Sequence, residues 1–190
     1  MTARPQPDEY QPYAETYVSQ VPHDKDVLTV LAESLKHTYE LFTGIDSEKA
    51  MYAYALNKWT IKEVLGHMID TERVFAFRAF CFSREEAVLP GFDQDVYVNN
   101  TDYNARSIQD LAEEFRVTRL SNLYMFKSLT NAQLNRRGTA IGFAVSVRAL
   151  LFCAAGHELH HIKILKERYL LIKKRHLFTR DAAFLLTILI

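Results

Sequence analysis

The sequence predicts an all-α fold: a four-helix bundle with at least one long crossover connection. Three observations predict it. Apolar residues recur at helical spacing in four long segments. Helix-start signals stand at the head of these segments, most clearly "TIKE" and "SIQD". Only 6 glycines and 5 prolines interrupt 190 residues, too few for a loop-rich chain. A chain of this length suits a single domain, 1–190, because one core commonly serves ~100–200 residues.

The first helix is "DVLTVLAESLKHTYELFTGI" (26–45), stopped by Gly44. The second opens on "TIKE", where Thr60 and Glu63 form a capping box, each side chain serving the other's backbone N–H. It continues through "VLGHMIDTERVFAFRAFCFS" to about Ser83. Val74, Phe75, Phe77, Phe80 and Phe82 cover more than one stripe, which predicts a central helix with contacts on several sides. The crossover follows as "EEAVLPGFDQDVYVNNTDYNA" (85–105), and loops beyond ~12–15 residues are uncommon and often functional. "SIQD" (107–110) repeats the capping device with Asp in place of Glu and opens a third helix, to about Leu129. Ser146 caps the fourth, "VRALLFCAAGHELHHIKILKERYL" (147–170). Residues 1–24 and 130–145 read as segments that wrap the bundle.

Composition narrows the function classes. Twenty-three Lys plus Arg balance 23 Asp plus Glu, so net charge favours no polyanionic partner and nucleic acid is not expected. Cys81 and Cys153 are two widely separated thiols in apolar runs, which make no disulfide framework and fit a reducing cytoplasm. "MTARPQPDEYQPYAETY" lacks the apolar stretch of a secretory signal, and no run approaches the ~20 apolar residues that span a bilayer. No membrane is expected as partner. The terminal "AAFLLTILI" is read as docked on the core or on a neighbouring subunit.

The chemistry is concentrated in "GHELHH" (156–161). His157 and His161 lie one turn apart and leave the helix on the same side. That side otherwise carries Leu150, Cys153, Ala154, Ile164 and Leu165, so the pair emerges from a core-facing surface. Buried polar groups need partners, and one cation would satisfy both imidazoles. His160 lies about 60° to one side of His157, so a 157/160 pair remains an alternative. A carboxylate-bridged iron pair requires a second Glu-x-x-His, and "ELHH" has no second copy. A His-Glu-x-x-His zinc protease requires a further ligand downstream. There Glu167 is too close on the same helix, while His176 and Asp181 stand in a tail without recognisable context. Upstream, His67 in "EVLGHMIDTE" is flanked by Val64, Leu65, Met68 and Ile69. Alone it reads as a core histidine. Facing the fourth helix, it completes three neutral nitrogen ligands with an open position, the layout of a catalytic zinc site.

These residues carry a resemblance. Through "KWTIKEVLGHMIDTERVFAFRAF", "LPGFDQDVYV" and "SVRALLFCAAGHELHHIKILKERYL", the chain resembles the DinB/YfiT-like superfamily of metal-dependent enzymes over roughly residues 4–170. The resemblance implies a four-helix bundle of up-down-down-up topology, often a homodimer. It implies a metal site made by one histidine of the second helix and the first and last of a His-x-x-His-His string. In this chain those are His67, His157 and His161, which leaves His160 out. The tail 171–190 departs from the family pattern. Despite the family's name, no DNA handling is implied.

The function that follows is metal-dependent chemistry on a small-molecule substrate, either hydrolysis or transfer with a low-molecular-weight thiol such as bacillithiol or mycothiol. A divalent ion on three imidazoles lowers the pKa of a bound water to about 7 or stabilises a bound thiolate. Zinc or nickel suits imidazole best, with iron or manganese as alternatives. Glu158 is the first candidate for a general base, against a salt-bridged helix residue. Asp70, near His67, is a candidate to accept a hydrogen bond from a ligand imidazole. Asp93 and Asp95 of "GFDQD" either approach the mouth of the site or only form a turn. Gly156 costs about 1 kcal/mol relative to Ala inside a helix and so implies close approach of another segment or room for a ligand. Two other readings stand beside this one: a non-catalytic metal- or ligand-binding helical dimer, and a dimerisation protein with a vestigial histidine cluster.

Overall fold

The computed structural model describes residues 1–170; the tail 171–190, with His176, Asp181 and the terminal apolar run, lies outside the described residues. Four long helices form the bundle: α1 (Val27–Thr43), α2 (Ile61–Phe82), α3 (Ile108–Lys127) and α4 (Val147–Ile164). Their starts are where the side chains put them. Asp26, Thr60, Ser107 and Ser146 each accept a hydrogen bond from a first-turn backbone N–H. The box at Thr60 and Glu63 closes in both directions. At Ser107 only the first half forms: Asp110, one methylene shorter than Glu, turns instead to Arg106 at 2.6 Å. Beyond Ile164 the chain continues as a π-helical turn, Leu165–Leu170.

The topology follows from how the core divides. One apolar cluster joins the start of α1 (Val27, Leu31) and of α4 (Leu150, Leu151) to the ends of α2 and α3 (Phe82, Phe126). The other joins the end of α1 (Phe42) and Leu165 just past α4 to the starts of α2 and α3 (Leu65, Ile108). Hence α1 and α4 run one way and α2 and α3 the other, up-down-down-up. Between the two clusters, at mid-height, the helices contribute buried polar side chains: Thr38, His67, Glu72, Arg119, His157 and Glu158. Burying that many polar groups is costly without partners, so this layer is where a special arrangement is expected.

Two expectations need correction. Residues 130–145 do not simply wrap: β2 (Arg137–Ala140) and β3 (Phe143–Ser146) pair as an antiparallel hairpin, and β1 (Val88–Leu89) in the crossover adds in parallel to β2. Ile141 and Gly142 turn the hairpin with φ of 55° and 77°, both positive as a type I′ turn demands. Isoleucine is a poor residue for that position, which is why the sequence signal was weak. The crossover also holds a short helix, Gln94–Asn99, and a 3₁₀ turn, Tyr103–Ala105. Second, α2 is not covered all round. Phe77 and Phe80 are exposed while Phe82 is buried, because α3 and α4 cover two sides of α2 and leave a third to solvent. Among the described residues no helix is long and apolar enough to cross a membrane.

Candidate metal centre

At mid-height between α2 and α4, His67, His157 and His161 converge, their ligand nitrogens all within 4.8 Å of one another. His67 Nε2 and His161 Nε2 lie 2.9 Å and 3.1 Å from the same atom, His157 Nε2. A neutral imidazole nitrogen is a donor or an acceptor, never both, so His157 Nε2 can satisfy only one of these neighbours by hydrogen bonding. A shared cation satisfies all three. At the usual Zn–N length of ~2.0–2.1 Å, tetrahedral ligand nitrogens stand about 3.3 Å apart, close to the two spacings measured from His157 Nε2. The donor set therefore fits a divalent ion.

Electrostatics keep the lone pairs available. Burial lowers the pKa of His67 to about 4. Burial, reinforced by His67 and His160, lowers that of His161 to about 3. His157 is held well below its ordinary value by burial and then by His161 and His67. Three unprotonated imidazoles at neutral pH suit a metal. Aromatic rings hold them in place: Trp59 lies 4.8 Å from His67, and Tyr17 meets His157 edge-on at 5.2 Å.

His160 is outside the cluster, against the Tyr17 ring at 5.5 Å. Gly156 explains how Tyr17 gets there. A Cβ on Gly156 would stand 1.9 Å from the Tyr17 carbonyl oxygen, so the N-terminal segment can lie on α4 only at a glycine. Of the two readings of Gly156, close approach is the one observed.

The structure does not bring Glu158 or Asp70 to the histidines. Glu158 is 1% exposed and turns into the bundle, where it accepts from Ser34 Oγ and Thr38 Oγ1, both at 2.6 Å, and from Arg119 Nη1 at 2.7 Å. Arg119, fully buried, also makes a two-pronged contact with Glu72 at 2.8 and 2.9 Å. On a helix, the residue after His157 points about 100° away, which turns it toward α1 and α3. Asp70 accepts from Tyr103 Oη at 2.5 Å, and burial raises its pKa against that donor and Arg73. The side chain that meets His67 Nδ1 is Thr71, at 3.5 Å. Asp93 caps the short crossover helix, accepting from Asp95 N and Val96 N.

Two hollows flank the cluster. One of about 320 Å³ is lined by His67 and His157 together with Phe75, Arg78, Phe92 and Cys153. The other, about 300 Å³, is lined by His161, Trp59 and Asp95. Gln94 borders both. Cys153 is a buried thiol whose pKa burial pushes up to about 12, so it lines the wall as an apolar group. Sequence reasoning missed Arg119, Glu72, Arg78, Gln94 and Tyr17. For Arg119 a signal existed: it sits four residues from both Phe115 and Leu123 on the apolar stripe of α3.

Residues 31–165 match the sequence profile described as the DinB superfamily. The chain belongs to the DinB superfamily. Its fold is shared by two solved structures of Bacillus subtilis proteins. One is YfiT, described as a probable metal-dependent hydrolase with an unusual four-helix bundle topology, at TM-score 0.65 and 16% identity over 87% of this chain and 90% of that one. The other is the DinB-like protein YjoA, at TM-score 0.54 and 24% identity over 75% of this chain and 87% of that one. No curated protein matches this DinB superfamily member.

Proposed function

We propose that His67, His157 and His161 hold one divalent cation, zinc or nickel before iron or manganese, and that the protein is a metal-dependent enzyme acting on a small molecule. The observation that carries this reading is the convergence of three unprotonated Nε2 atoms, of buried His67 and His157 and half-buried His161, beside a cavity. YfiT, with the same fold, is described as a probable metal-dependent hydrolase, which supports it. A cation held by three neutral ligands supplies Lewis acidity and lowers the pKa of a water or thiol bound at an open position. The chain's own residues do the rest. Trp59, Tyr17 and Phe75 pack on the imidazoles and fix their orientation. The Arg119–Glu158 contact pins the rotation of α4 one residue from His157, so the cluster is presented by a rigid helix.

The reaction is proposed at the level of hydrolysis or transfer to a low-molecular-weight thiol. Homodimerisation in the cytoplasm is part of the same reading, supported by exposed Phe77 and Phe80 on α2 beside Leu120 and Tyr124 on α3, and by free Cys81 and Cys153. Elemental analysis of the purified protein tests the site: about one equivalent of metal is expected, lost in His67→Ala with far-UV circular dichroism unchanged. Metal-free wild type that fails to take up Zn²⁺, Ni²⁺, Fe²⁺ or Mn²⁺ on titration overturns it. Screening ester and amide substrates without thiol, against electrophiles with several thiols, separates the two reactions.

A further inference from the structure

The bundle buries two arginines, Arg78 and Arg119, and treats them oppositely. Arg119 is enclosed by Glu72 and Glu158. Arg78, 5% exposed, has no carboxylate within 4.0 Å among the described residues. Among the described residues its one hydrogen bond runs from Nη2 to the Pro90 carbonyl at 2.9 Å, and its guanidinium stands 6.0 Å from the Phe92 ring centre. Nε and Nη1 have no partner among the described residues, yet no fully buried side-chain nitrogen or oxygen there lacks one, so these two atoms keep accessible surface. The surface they can reach is the cavity that Arg78 lines together with His67 and His157. No aspartate or glutamate among the described residues lines that cavity. A guanidinium taken out of water without a counter-ion is costly, and the protein's overall charge is balanced, so the positive character is local to this hollow.

We infer that the substrate is an organic anion: a small molecule with a carboxylate held by the free edge of Arg78 and an apolar body lying along Phe75, Phe92 and Leu150 toward the histidines. The inference rests on the proposed metal site for its reactive end and on Arg78 alone for its anionic end. His67, Phe75 and Arg78 follow one another along α2 at intervals that keep them on one side. Eleven residues separate the ends, about 16 Å between Cα atoms at 1.5 Å per residue. Both side chains border one cavity of about 320 Å³, which leaves room for a small acid rather than a polymer. A planar carboxylate matches the two-nitrogen edge of a guanidinium, which makes Arg78 a specificity-determining residue.

Binding of two probes by isothermal titration calorimetry tests this in protein saturated with Zn²⁺ and again in metal-free protein, the second reading being the decisive one because no cation there competes for the carboxylate: 4-phenylbutyrate and its neutral isostere 4-phenylbutyramide. Wild type is expected to prefer the acid by about 10- to 100-fold, the range of a charge-assisted contact. Arg78→Met is expected to erase that preference while leaving amide binding within a few-fold of wild type. Arg78→Lys is expected to keep part of it. If Arg78→Met discriminates acid from amide as strongly as wild type does, or if wild type does not discriminate, the inference is overturned. A merely structural role for Arg78, through Pro90, would weaken both probes together and would also overturn it. Loss of metal binding in His67→Ala is scored separately, so failure of the metal reading and failure of the anion reading are distinguishable.

Discussion

Glu158→Ala separates a structural role of this carboxylate from a catalytic one. In the folded protein it accepts three hydrogen bonds, from Ser34, Thr38 and Arg119, at 2.6 to 2.7 Å in a fully enclosed site. Alanine leaves two hydroxyls without their acceptor and Arg119 Nη1 with only the Leu31 carbonyl at 3.1 Å. Arg119 keeps Glu72, so its charge is not left bare, but three hydrogen bonds to a charged acceptor are lost in an enclosed site, for about 3–5 kcal/mol in all. For a chain of this size each kcal/mol moves Tm by about 2–4 °C, so a fall of roughly 6–20 °C is expected. Glu158→Gln is the milder control. With its amide oxygen facing Arg119 and its NH₂ facing Thr38, whose hydroxyl can turn to accept, it loses charge but little geometry, for about 1–3 kcal/mol. Thermal and urea unfolding, followed at 222 nm for wild type and both variants, reads these values. A Glu158→Ala protein within about 1 kcal/mol of wild type whose turnover drops by ~10²–10⁴ would refute the network and reinstate a general base.

Three other outcomes follow from the same geometry. His161→Ala loses the bound metal while His160→Ala keeps it, since only the former nitrogen reaches His157 Nε2; elemental analysis of both proteins decides, and loss in both or in neither contradicts the assignment. Gly156→Ala gains about 1 kcal/mol of helix propensity but drives a methyl into the Tyr17 carbonyl, for a net loss of about 1–3 kcal/mol and faster proteolysis within residues 1–20. An unchanged melting curve would refute it. Acid destabilises the metal-free protein through its histidines. With folded pKa values of about 4 for His67 and about 3 for His161, both below the ordinary 6.5, the unfolded chain binds more protons in between. Stability is thus complete above about pH 6.5 and falls by up to about 1.4 kcal/mol per pH unit per histidine as pH drops toward 4. Urea midpoints measured from pH 7.5 to 4.5 check the slope, and a flat profile counts against buried neutral imidazoles.

The amino-acid sequence by itself determined the helices and the His157–His161 pair, and the family resemblance it carries supplied His67. Capping and 3.6-residue periodicity are local, so Asp26, Thr60, Ser107 and Ser146 mark their helix starts without reference to the rest of the chain. His157 and His161 are likewise joined by one helical turn. Tertiary structure decided what depends on which helices face each other. It set His67 against that pair across ninety residues, turned Glu158 inward to Arg119 because neighbouring helix positions diverge by about 100°, and left Arg78 beside the cavity without a carboxylate. The β2–β3 hairpin was hidden for a local reason, strands of only four residues and a turn that places Ile141 at positive φ, whereas the addition of β1 from the crossover is a non-local contact that no short stretch of sequence encodes.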